Sequence, residues 1–287
     1  VGPWVELALL EQHAGVGPMQ ILWIAILTGY ALCVAQSILA LTTKRPLMRN
    51  TSLAALAVAF GLHTSWLLLR GFRTGRCPLV GTQEMSAFLS WGLVILSLIA
   101  YRWYRANALK AFIFPIVLVL ATVAAISPGP TGDSPEFGNT LQSVLLPAHV
   151  GLLLLAYASF FVAFGAGVMY IIQERELKLK RFGTIFYRLP SLNTCDAIST
   201  KAMAIGFVLM TLGIVGGVWY SYSRYHIYWQ AGPLEIFSVV TWVLYLGILQ
   251  SRINAGWGGR AVALASIVSF IIVICSLVGV RYLGHAL

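Results

Sequence analysis

The chain has 287 residues, of which 59% are hydrophobic and only 10% charged, with a mean hydropathy of +0.84. That composition excludes a soluble domain, because so much apolar surface is satisfied only in lipid. The formal net charge of +10 does not point to nucleic acid, since Lys and Arg are confined to short loops beside apolar runs and serve there as topology signals.

Apolar runs long enough to cross a bilayer, about 20 residues as helix, recur eight times. They fall near 19–42, 51–69, 85–103, 111–127, 142–172, 200–220, 235–251 and 261–281. The alternating polarity of a lipid-embedded barrel is absent, so the expected class is all-α: a polytopic membrane bundle of about eight transmembrane helices. The fifth run is longer than a span needs, and its end, "IIQERELKLKR", predicts a helix that leaves the membrane. No internal repeat or separate soluble segment interrupts the series, so residues 1–287 are expected to form a single integral membrane domain.

Orientation follows from the basic residues. Alternate loops carry Lys44, Arg45 and Arg49; Arg102, Arg105 and Lys110; Arg175, Lys178, Lys180, Arg181, Arg188 and Lys201; and Arg252 and Arg260, fourteen of the 19. The opposite side carries Arg70, Arg73, Arg76, Arg224 and Arg281. The positive-inside rule therefore predicts both termini outside, together with the connector "SPGPTGDSPEFGNT" and the aromatic loop "SYSRYHIYWQAG". Four cysteines (33, 77, 195 and 275) show no ligand spacing, and Cys33 and Cys275 lie inside apolar runs as small packing residues.

The five histidines are the most informative residues. His149 opens the fifth span at its external end, and His285 follows the eighth span at the same level. His226 lies in the aromatic loop, His63 sits within the second span, and His13 is in the N-terminal segment. An imidazole inside a span is a functional candidate by default, although a neutral ring also packs satisfied against a carbonyl or hydroxyl. Interfacial histidine is ordinary taken singly. Two imidazoles brought together by helix packing beside aromatic side chains, however, suit the axial positions of a haem iron. Tyr225, Tyr228, Trp229 and Trp242 are close enough in sequence to wall such a site. Zinc is served less well, because Glu235 is the only acid nearby. Fingerprints of serine hydrolases, P-loops, zincins and dinucleotide binding are missing, and so are the paired carboxylates of a proton-coupled transporter. Glu84 begins the third span, where a helix N-terminus favours an anion, and a capping role is the expectation there.

Several segments together resemble the cytochrome c assembly membrane family, the CcsA/ResC and HemX-like proteins. They are "PLVGTQEMSAFLSW", "LPAHVGLLLLAYASFFVAFGAGVMYIIQERELKLK", "LPSLNTCDAISTKAMAIGFVLMTLGIVGGVWY", "LEIFSVVTWVLYLGILQSR" and "GWGGRAVALASIVSFIIVICSLVGVRYLGHAL", covering residues from about 55 to the end. The resemblance implies haem handling at the external membrane face in cytochrome c biogenesis. In the synthase branch a Trp-rich loop holds haem between two external histidines, ready for attachment to an apocytochrome. His149 and His285 match that iron-ligating pair by position, and the loop with His226, Tyr228 and Trp229 takes the place of the Trp-rich segment. Haem b is the implied group. A ResB/CcsB-like membrane partner and apocytochrome c are the implied partners, in a bacterial inner membrane or a thylakoid. The chain also departs from the pattern. The family loop reads roughly Trp-Gly-x-Tyr-Trp-x-Trp-Asp-Pro-Lys-Glu; here Trp229, Pro233 and Glu235 remain, while the second Trp, the Asp and the Lys do not. Gln250 stands where the synthase branch has a seventh-span His, and an amide does not replace imidazole on iron. These departures count against autonomous haem-lyase catalysis. They leave open a HemX-like, non-catalytic protein tied to haem metabolism, or a scaffold subunit of a respiratory complex.

Overall fold

A computed structural model describes residues 17–42, 47–129, 140–180, 183–230 and 232–283. The described residues form nine helices and no strand: α1 (Pro18–Thr42), α2 (Leu47–Thr74), α3 (Gly81–Tyr104), α4 (Leu109–Ile126), α5 (Thr140–Lys178), α6 (Thr184–Arg188), α7 (Leu192–Tyr225), α8 (Pro233–Asn254) and α9 (Gly259–Leu283). Seven of them, α1 to α5 with α7 and α8, are long and apolar enough over their described residues to cross a membrane. The eighth expected span coincides with α9, whose described apolar part is Gly259–Ile272. The protein is an all-helical integral membrane protein. In lipid the backbone must satisfy its own hydrogen bonds, and the helix does so within one segment.

The expected overhang of the fifth span is present. At 39 residues, α5 extends about 58 Å at the ordinary helical rise, well beyond a hydrocarbon core of about 30 Å. Residues in the left-handed region follow several helices directly: Gly75 after α2, Arg105 after α3 and His226 after α7. This is the usual way to close a helix C-terminus.

The described residues group into two compact units, with boundaries inside α3 and α4. The first comprises residues up to Trp91 together with 114–131. Trp23, Ile26, Tyr30 and Cys33 recur along one face of α1, and Leu56, Ala59, His63 and Trp66 along one face of α2. Gly29 lets these helices meet closely, since a Cβ there would stand 2.6 Å from that of Ala59. Trp91 stacks on Phe60 with a 6.0 Å centroid separation and donates its indole N–H to Thr64 Oγ1 at 3.0 Å.

The expected cap at Glu84 is part of a larger arrangement within this unit. The carboxylate accepts the Val80 N–H at 2.9 Å, as a cap should. It is also fully buried and takes Arg70 Nε at 2.8 Å and Arg76 Nη1 at 2.7 Å, with Arg76 Nη2 at 3.2 Å. One acid thus holds two guanidinium groups.

The second unit comprises residues 92–113 and 132–287, with α5 buried on most of its circumference. Its seam with α7 is antiparallel and built on three glycines. A Cβ on Gly206 would come within 2.5 Å of the Phe160 ring, one on Gly213 within 2.7 Å of Leu153, and one on Gly217 within 2.4 Å of the His149 ring. The glycines recur at helical spacing, and each leaves a hollow for one α5 side chain. Phe160 in turn stacks on Tyr245 of α8 at 3.6 Å, and Phe161 and Phe164 meet Phe270 of α9. Val262, Ala263, Ser266 and Phe270 form the buried stripe of α9, and Gly167 admits Ser266. At the basic ends, Asp196 of α7 pairs with Arg252 of α8, and Glu174 of α5 pairs with Lys178 and Arg260.

Candidate functional site

Among the described residues, His149 is the candidate ligand with the most fixed orientation. Its Nδ1 lies 2.7 Å from the carbonyl oxygen of Gly213 in α7. A carbonyl only accepts, so Nδ1 carries the proton and donates, which leaves the Nε2 lone pair available. Orienting one ring nitrogen on a backbone carbonyl is how proteins set the tautomer and direction of a metal-binding imidazole. Gly213 and Gly217 are both required for this seat, because a side chain at either would displace Leu153 or the ring itself. The half-buried ring therefore has a fixed direction.

Eight residues beyond Gly217, α7 ends at Tyr225, about 12 Å farther along the axis. There the chain turns through His226, whose φ of 57° and ψ of 25° are left-handed and whose N–H returns to the Tyr222 carbonyl. His226 is exposed and sets its ring edge-on to Tyr222 at 5.9 Å. Tyr228 stacks on Tyr222 at 4.4 Å with only 9° between the planes. The Tyr222 hydroxyl raises the Tyr228 phenol above its ordinary value, so Tyr228 is neutral at physiological pH. Tyr228 is 62% exposed and Trp229 44%, so broad aromatic faces are presented outward.

This loop is tied down by Glu235 and by two side chains, Ser221 and Gln230, that sequence reasoning did not single out. Ser221 Oγ donates to the Ile227 carbonyl at 2.7 Å and accepts from Gln230 Nε2 at 3.3 Å. The Gln230 N–H donates to Glu235 Oε2 at 3.0 Å. Glu235 lies in the first turn of α8, which starts with Pro233 at an uncapped N-terminus, where a carboxylate also suits the helix dipole. The only signal in the sequence was the spacing of hydroxyl, amide and acid around the aromatic run. Each bond is worth about 1 kcal/mol, and together they hold an uncharged loop in one shape.

The remaining expected residues sit differently. Trp242 donates its indole N–H to Thr211 Oγ1 at 2.8 Å and stacks on Phe207 at 5.3 Å, so it joins α8 to α7. Gln250 is exposed and accepts from Asn254 Nδ2 at 2.8 Å. His63 belongs to the first unit and is fully buried among protein, as an imidazole inside a span must be. Tyr30 Oη lies 3.0 Å from its Nδ1, with Trp23 against the ring. Among the described residues His63 Nε2 has no partner in strict hydrogen-bond geometry, and the Ala87 backbone is within reach of the ring. His285, the second ligand of the expected pair, and His13 lie outside the described residues.

Among the described residues no three His, Cys, Asp or Glu side chains gather in a metal-binding group. What α5, α7 and the loop supply is one oriented imidazole and a set of flat aromatic faces. That donor set fits a metal already held by a planar macrocycle, for which the protein need provide only axial ligands.

The chain is similar to known proteins over most of its length. The cytochrome c biogenesis protein CcsA of Prochlorococcus marinus (strain MIT 9301) is 27% identical over 246 residues, which cover 79% of this chain and 80% of that protein. The protein of the same name from Prochlorococcus marinus (strain MIT 9312) is 29% identical over the same length. The one from Guillardia theta is 26% identical over 256 residues, 83% of each chain. A family model described as cytochrome C assembly protein matches residues 79–287, a stretch that holds His149, the glycine seam and the tethered aromatic loop. This chain belongs to the cytochrome c assembly protein family.

Proposed function

We propose that this protein takes part in cytochrome c biogenesis by holding haem at the external membrane face for delivery or attachment to apocytochrome c. Haem is the cargo here, and residues 1–287 act as one integral membrane domain. The observation that carries this reading is the 2.7 Å bond from His149 Nδ1–H to Gly213, which aims a free Nε2 lone pair from a fixed ring. In this reading His149 supplies one axial ligand and His285 the other. Tyr228 and Trp229 offer apolar faces to the macrocycle, held in place by Ser221, Gln230 and Glu235. Apocytochrome c and a membrane partner of the ResB/CcsB type are the macromolecules such a protein would serve.

The absorbance spectrum of the purified protein, oxidised and reduced, is the direct test. A Soret band with sharp low-spin bands on reduction is expected, because two imidazoles bind haem iron as low-spin. Protein from haem-replete cells that carries no haem and takes up none would overturn the reading.

A HemX-like, non-catalytic role is favoured by two observations. Gln250, an amide in place of the imidazole, is exposed and bonded to Asn254 at the end of α8, and the loop lacks the Asp and Lys of the synthase branch. A protein that binds haem yet attaches none to a CxxCH apocytochrome would belong to that role.

The external placement makes a separate prediction from the charge asymmetry. In a chain freed of its native cysteines, a Cys at Gly232 is expected to react with an impermeant maleimide added outside, and one at Lys180 only after permeabilisation. Exposed Cys77, kept alone, is a native reporter for the external side. Labelling at Lys180 in intact cells would reverse the orientation and remove the external site.

A further inference from the structure

Within the second unit, a groove runs between α3, α5 and α7, lined by Leu96, Ile99, Ala100, Val162, Ala202 and Ile205. Its mouth is different in kind. Lys201 is exposed and holds its Nζ 5.4 Å from the centroid of the Tyr104 ring. Among the described residues no carboxylate pairs with it; Asp196 pairs with Arg252 through Oδ2, and Glu174 with Lys178 and Arg260. The Tyr104 hydroxyl is buried in the groove wall and has no hydrogen-bond partner among the described residues. An ammonium thus stands over the face of a ring whose own hydroxyl meets no partner among the described residues.

The mouth also lies at a sharp chemical boundary. From Ala202 to Ser223 α7 carries no charge, and from Met85 to Tyr101 α3 carries none. Lys201 and Arg102 therefore mark the edge of the apolar zone on their two helices, and Trp103, 63% exposed, stands beside them. A tryptophan and basic side chains at such an edge are the signature of the headgroup level.

We propose that this groove is a binding site for one acidic phospholipid of the leaflet on the basic side. One acyl chain occupies the apolar channel, and the phosphate is held by Lys201 Nζ and the Tyr104 hydroxyl. An apolar helix of another protein could cover the channel, but it would leave both donors unmet. An anionic headgroup satisfies both. The site is separate from the His149 seat and does not depend on haem.

The full chain, reconstituted in nanodiscs of phosphatidylcholine with and without phosphatidylglycerol, is transferred to detergent and its retained lipids are counted by native mass spectrometry. Wild type is expected to keep phosphatidylglycerol in preference to phosphatidylcholine. Lys201→Gln should lower phosphatidylglycerol retention about fivefold, the effect of one cation at an anionic headgroup, and leave phosphatidylcholine unchanged. Lys201→Arg should preserve the preference, and Tyr104→Phe should weaken it. Ala202→Leu, which narrows the channel, should reduce both lipids. Equal retention of the two lipids by wild type, or unaltered phosphatidylglycerol retention in Lys201→Gln, would overturn the proposal. A preference lost equally in Lys201→Arg would also overturn it, because the charge would then not be what binds.

Discussion

Replacing Glu84 with Ala is expected to cost about 3–5 kcal/mol of stability, the range for breaking a buried ion pair from one side. The reason is an asymmetry of burial. The carboxylate is fully buried, whereas the Arg76 side chain is 11% exposed and that of Arg70 24%. Removing the acid leaves two guanidinium groups facing each other around an apolar gap, and it also orphans the Val80 N–H before α3. Arg70 escapes partly to water, so the loss should fall toward the lower end of the range. The reverse changes discriminate between the partners. Arg76→Met should cost more than Arg70→Met, since Arg76 makes two bonds to the carboxylate and Arg70 one. Denaturation in mild detergent, followed by tryptophan fluorescence, measures all three. A loss below about 1 kcal/mol for Glu84→Ala would mean that the cluster behaves as a solvated surface bridge.

This cluster also shows where sequence reasoning stops. Glu84 at the start of a span was legible as a helix-start anion, and the Val80 bond agrees. Its hold on Arg70 and Arg76 was not, because Arg70 lies across and Arg76 within the connection from α2 to α3, whose path is set by tertiary packing. The spans themselves were legible for a simple reason: lipid demands about 20 consecutive apolar residues, and runs of that length are hard to form by accident. All eight expected runs lie in helices, and the overhang of α5 was visible in its charged tail. The short α6 was not expected, since five residues carry too little pattern to read. The glycine seam was hidden by the same medium that revealed the spans. Helices apolar all round show no stripe, so nothing marked Gly206, Gly213 and Gly217 as facing α5. His149 was found as a candidate from residue type and level. Its bond to Gly213, the property that sets it apart from an ordinary interfacial histidine, required knowing which carbonyl it meets.

That seat supplies the sharpest test of the haem reading. His149→Ala is expected to convert a low-spin spectrum to high-spin or to empty the site, because one axial imidazole is lost. Gly217→Ala leaves the ligand intact and disturbs only its seat. The new Cβ would stand 2.4 Å from Cε1 and 2.6 Å from Nδ1, so the ring must swing away and its 2.7 Å bond to Gly213 is lost. Losing a partner that orients a ligand typically lowers affinity about 10–100-fold, and haem titration should show a drop of that size. Gly206→Ala is the packing control on the same face of α7. Its Cβ meets the Phe160 ring at 2.5 Å, and that ring is pinned by Tyr245, so it should cost about 1–3 kcal/mol by overpacking. Its folded fraction should nevertheless bind haem as wild type does. His226→Gly removes the loop imidazole while keeping the left-handed turn, which glycine adopts freely, and the Soret band should survive. If Gly206→Ala and Gly217→Ala weaken haem equally, the effect is a loosened bundle and His149 loses its special role. If His226→Gly alone abolishes the band while His149→Ala leaves it, the ligand is in the loop, and the Gly213 bond is only an interhelical tether.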